Sequence, residues 1–94
     1  MKAYTYTLAT IDFSTMKPGT IDYSTELYES MEDFFFGEWI RFLFRYKDYP
    51  TAKLHRGWKG VHVEIDGQLV YLCRVVDISK EPVEIPDEDL EDLE

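Results

Sequence analysis

The sequence has a single cysteine, Cys73, and therefore no internal disulfide. A secreted domain of this size would ordinarily need several such staples, so the composition points to a reducing compartment, with the cytoplasm as the expected location. Runs of about 18–20 apolar residues are also missing, which argues against a membrane span. The longest aromatic stretch, Phe34-Phe35-Phe36, is interrupted at once by Gly37-Glu38. Met1-Lys2 leads into Ala3-Tyr4-Thr5-Tyr6-Thr7 without the apolar core of a signal peptide. A soluble protein is expected.

Chemical motifs are equally scarce. No glycine-rich phosphate loop occurs, and His55, His62 and Cys73 lack the close paired spacing that brings neighbouring ligands to one metal ion. The acidic residues near the C-terminus do not follow the spacing of a calcium loop and lack its glycine. These absences lead to an expectation of no enzyme activity, no cofactor and no metal. One arrangement keeps catalysis open: a hairpin with a two-residue turn would put His62, Glu64 and Cys73 on one sheet face. No glycine-rich turn or helix N-terminus stands near Cys73 in the sequence to lower its pKa or to supply an oxyanion hole.

What the sequence does have is aromatic bulk and unevenly placed acid. The 94 residues are 45% hydrophobic and 16% aromatic, enough for one small domain with a core of its own. Of 19 acids and 10 bases, eight acids and no base fall in residues 81–94. The remaining eleven acids against ten bases leave the body at -1 and the tail at -8. Between Thr20 and Ile40 stand Asp22, Glu26, Glu29, Glu32, Asp33 and Glu38 with no Lys or Arg, whereas Arg41 to Lys59 carries six bases against Asp48 alone. That basic segment, interleaved with Tyr46, Tyr49, His55 and Trp58, is the one stretch of nucleic-acid character. The pI of 4.6 opposes it, because the field of the whole protein repels a polyanion.

The pattern predicts an α+β domain over residues 1–80 in the order β-α-β-β, followed by an acidic tail, 81–94, that is extended or disordered. Residues 3–13 alternate as a strand, and Pro18-Gly19 marks a loop. Ser24 and Ser30 are both possible helix starts. Ser30 is the better cap, since Glu32 and Asp33 then lie at the positive end of the helix dipole. Met31, Phe35, Trp39, Phe42 and Tyr46 form the expected inward stripe, flanked by Phe36, Ile40 and Leu43, with Glu38, Arg41 and Arg45 opposite it, and Tyr49-Pro50 ends the helix. Phe34 falls among those charged residues, so a second subunit, a partner or the loop 14–29 should cover it. Val61 to Ile65 and Gln68 to Leu72, joined by Asp66-Gly67, read as a β-hairpin. A two-residue turn pairs Val63 with Val70 and Val61 with Leu72, while a bulge at Gly67 would move Leu69 and Tyr71 to the side of Val63.

These features favour a protein that binds another macromolecule. In size and charge alone it resembles small virus-encoded inhibitors of nucleic-acid enzymes, including anti-CRISPR-like phage proteins and DNA mimics, and toxin-immunity proteins. No family motif accompanies that likeness, so no residue roles follow from it. The expected function is to block a basic groove of a nucleic-acid-processing protein, without direct nucleic-acid or membrane binding. The expected contact residues are Glu26, Glu29, Glu32, Asp33, Phe34, Glu38, Trp58, Asp87, Glu88, Asp89, Glu91 and Asp92. The alternative is a structural or regulatory subunit, or an immunity protein, that binds through its aromatic helix as a homodimer or in a hetero-complex.

Overall fold

The computed structural model describes residues 2–85, so Asp87, Glu88, Asp89, Glu91 and Asp92 of the acidic tail lie outside it. The elements run β1 (Lys2–Asp12), β2 (Asp22–Tyr28), α1 (Met31–Arg45), β3 (Ala52–Arg56), β4 (Gly60–Ile65), β5 (Gln68–Ile78) and β6 (Val83–Glu84). The strands pair antiparallel in the order β2-β1-β5-β4-β3, and β6 extends the sheet by pairing with the start of β1. The architecture is α+β and dominated by the sheet. α1 packs on one face, where Tyr6, Leu8, Phe34, Phe35, Val61, Val63, Tyr71, Cys73 and Val75 make the core.

β1 follows the expected alternation. Tyr6 and Leu8 are buried beneath α1, Thr10 and Asp12 continue the same side, and Thr5, Thr7 and Ala9 face the other way. β2 was expected to be loop. Its Tyr, Thr and Leu residues suit a strand, but it pairs only with β1, and six of its seven residues are exposed. An edge strand has little to bury and so lacks the apolar alternation that would reveal it. β3, also unexpected, is the opposite edge and carries a single large apolar residue, Leu54.

The hairpin forms, with a register between the two that were expected. Asp66 and Gly67 have φ angles of 53° and 81°, as a tight two-residue turn requires, and Ile65 faces Gln68. Glu64 then pairs with Leu69, but Val63 pairs with Tyr71 and Val61 with Cys73, so Val70 is an extra residue in β5. The bulge lies at Val70, not Gly67. It reverses the side-chain alternation and turns Tyr71 and Cys73 to the core face. A second bulge, at Val76, lies between the pairs Leu8–Val75 and Thr7–Asp77.

α1 begins after Ser30 as expected, with Glu32 and Asp33 in its first turn, and closes earlier than expected, with Tyr46 as its C-cap. Its orientation differs from the expected one. Phe34 is completely buried, Phe35 and Glu38 are buried, and Trp39 is 45% exposed. Met31, Phe42 and Tyr46 of the expected stripe do pack against the core. The helix is turned so that Glu38 reaches Tyr71 of β5 and Arg45 reaches Asp12 of β1.

Candidate binding surfaces

Two polar clusters join the inner side of α1 to the sheet. Tyr71 donates a hydrogen bond of 2.8 Å from its hydroxyl to Glu38 Oε1, and Arg41 Nη1 lies 3.4 Å from Glu38 Oε2. Asp12 accepts from the Ser14 amide at 3.0 Å and the Ser14 hydroxyl at 2.6 Å, and it pairs with Arg45. The Arg45 guanidinium also lies over Tyr46 and Tyr71. Burial alone would raise the Asp12 pKa. The hydrogen bonds from Ser14 and Arg45, with the Arg45 charge, outweigh it and hold the carboxyl at about 2. The void lined by Glu38, Arg45, Tyr46 and Tyr71 has room for about one water molecule, so these charged groups serve the interior of the fold.

Cys73 belongs to this interior. It is fully buried, accepts a hydrogen bond from the Thr10 hydroxyl at 3.6 Å, and has its pKa pushed up to about 11 by burial and by the Glu38 charge. The shared face of His62, Glu64 and Cys73 that a two-residue turn would have produced does not form, because the Val70 bulge puts Cys73 opposite Val61. His62 pairs across the strands with His55, their rings stacked 4.7 Å apart. The Glu64 carboxylate lies against His55 Nε2 without the alignment of a hydrogen bond.

The expected contact residues separate into two groups. Phe34 and Glu38 are interior and unable to meet a partner, which corrects the reading that placed them on an exposed face. Glu26, Glu29, Glu32 and Asp33 are exposed along β2 and the first turn of α1. The charges of Asp33 and Glu26 reach Tyr6 and Tyr28, whose pKa values are raised first by burial and then by these neighbours. Glu32 is tied to Arg56, with Arg56 Nη2 at 2.6 Å and the guanidinium 3.8 Å over the Phe35 ring. Trp58 is 81% exposed, with Lys59 Nζ 4.7 Å from its ring centroid. It sits between β3 and β4, across the sheet from Glu26. Within the basic segment, Arg41, Arg45 and Arg56 pair with Glu38, Asp12 and Glu32, and Lys59 covers Trp58.

A further surface was misread from the sequence. Phe36, Trp39, Ile40, Leu43 and Phe44 are 65%, 45%, 37%, 45% and 74% exposed on the outer side of α1. Their positions, i, i+3, i+4, i+7 and i+8, make one continuous helical stripe. Beside it, Phe35, Phe36, Trp39 and Leu54 line a shallow groove between α1 and β3, with the Glu32–Arg56 pair at its rim. The spacing was legible, but two apolar stripes compete on this helix, and the charges of Glu38, Arg41 and Arg45 suggested the wrong one as solvent-facing. Among the described residues no helix is long and apolar enough to cross a membrane.

No protein-family model, curated protein or solved structure matches the chain, so these surfaces are interpreted from their own geometry.

Proposed function

We propose that this is a non-covalent binding protein that presents its acidic corner to a positively charged groove of another protein, as an inhibitor of a nucleic-acid-processing protein would. The supporting observation is the exposure of Glu26, Glu29, Glu32 and Asp33 at the β2–α1 corner, in a segment without Lys or Arg from Thr20 to Ile40. Carboxylates gathered in this way accelerate association with a basic surface at low salt, and the acidic sequence of residues 87–94 adds to the net negative charge of the chain. Glu32 is partly neutralised by Arg56, which leaves Glu26, Glu29 and Asp33 as the principal groups.

The test is affinity capture from the native host by wild-type protein and by a Glu26→Lys, Glu29→Lys variant that keeps Asp33. A partner with a basic groove should be retained by wild type, released by added salt and lost with the variant. Equal retention by both proteins would refute the acidic-corner reading. A second reading, a structural or regulatory subunit held by its helix, is favoured by the exposed stripe on α1.

A further inference from the structure

We propose that the outer stripe of α1 is the interface of a two-fold homodimer, in which the helices of two copies pack antiparallel across Ile40. This inference rests on the second reading above and shares only Asp33 with the acidic corner.

Three observations identify a second copy as the occupant. The first is the charge along the helix. Asp33 stands in its first turn and Lys47 follows its last, while Glu32 and Arg45 are held by Arg56 and Asp12. An antiparallel pair centred on Ile40 sets Phe36 of one copy opposite Phe44 of the other and brings Asp33 within reach of the second copy's Lys47, twice by symmetry. A parallel pair would bring acid to acid and base to base. The helix dipoles also oppose each other favourably in the antiparallel arrangement.

The second observation is the shape of the stripe. Phe36, Trp39, Ile40, Leu43 and Phe44 are adjacent at three- and four-residue steps, giving the ridge that packs into the groove of an identical helix. The third is area. With aromatic side chains at roughly 150–250 Å² each, the exposed fractions of these five residues amount to roughly 500 Å² per copy. Two copies therefore remove roughly 1,000 Å² from water before any rim contact is counted, which reaches the lower bound for a specific interface.

Sedimentation velocity on the full chain over a concentration series tests the proposal, with Ile40→Glu as the disrupting variant. Position 40 lies at the two-fold axis, so the substitution sets two carboxylates against each other, and glutamate is a good helix former. Wild type should be a dimer, and Ile40→Glu should weaken self-association by at least about tenfold while keeping the near-ultraviolet circular dichroism of the folded monomer. Orientation is tested by mixing Asp33→Cys and Lys47→Cys chains under oxidation. A mixed disulfide that neither chain alone can form is expected, and buried Cys73 does not compete. Cross-linking of Asp33→Cys with itself would overturn the antiparallel arrangement.

A monomeric wild type would overturn the dimer. If a chain ending at Ile85 then dimerised, the stripe would belong to the protein's own acidic segment. A monomeric wild type whose captured partner is lost with Ile40→Glu would assign the stripe to that partner. Neither outcome bears on the acidic corner, which the Glu26→Lys, Glu29→Lys variant probes with Asp33 kept.

Discussion

Both sides of α1 are apolar, but only the inner one mixes charge with its rings. The inner side carries Met31, Phe34, Phe35, Phe42 and Tyr46 together with buried Glu38, with Arg41 and Arg45 at its margin, while the outer side is a run of Phe, Trp, Ile, Leu and Phe. Inside, the charged groups end on specific partners: Tyr71 and Arg41 at Glu38, and Ser14 and Arg45 at Asp12. Outside, nothing polar interrupts the stripe from Phe36 to Phe44. Hydrophobicity alone therefore does not say which way a helix faces. A charged residue can face inward where a buried hydroxyl or an opposite charge is placed to receive it.

Substituting matched residues on the two sides gives the sharpest contrast. Phe34→Ala should cost about 3–5 kcal/mol, because a fully buried ring is replaced by a cavity. Phe44→Ala should change the stability of the monomer by less than about 0.5 kcal/mol. Urea unfolding of Ile40→Glu-based monomers would measure both, and similar losses would abolish the distinction between the sides. Cys73, sealed under the inner side, should alkylate at pH 8 more than about a hundredfold more slowly than in denaturant, since its raised pKa alone lowers the thiolate fraction by about that factor. Rapid native labelling would show that the core is open.

Tyr71→Phe removes the hydroxyl donor from buried Glu38 and should cost about 1–3 kcal/mol, with the Arg41 contact retained. A neutral result would mean that Glu38 does not depend on that bond. The Asp12 pair should appear in acid. Its carboxyl is held at about 2 in the folded chain against an ordinary 3.8, so its contribution is complete above the ordinary value and is lost as pH falls through about 2. Asp12→Asn should flatten the acid-unfolding profile over that interval, and an unchanged slope would remove the pair from the account. The smallest effect is expected at Trp58, where replacement by Ala should alter stability by less than about 0.5 kcal/mol because the indole is 81% exposed.

The elements most legible in the sequence are those with a strong local signal. β1 shows alternation, α1 has Ser30 before two acids, and Asp66-Gly67 imposes its turn. β2 and β3 were hidden because edge strands bury one side at most and need no period of two. The register of β5 was hidden because a bulge is determined by what the whole sheet must bury, not by Val70 itself. In the candidate site, charge was legible and burial was not. Glu26, Glu29, Glu32 and Asp33 are exposed as their charge suggested, while Glu38 is drawn inward by Tyr71, a residue 33 positions away in the chain.

The extra residues in β5 give that strand an unusual sensitivity to length. Between Val70 and Val76 the chain keeps one phase, and outside those points it is offset against its neighbours. Deleting Val70 would remove only the extra residue, since Glu64–Leu69 and Val63–Tyr71 would become consecutive pairs and both the Asp66-Gly67 turn and the pairing with β1 would be kept. Most substitutions on β5 disturb one position, whereas a one-residue deletion between the two bulges, at Leu72 for instance, sets the stretches on either side of it in competition over which face is inside.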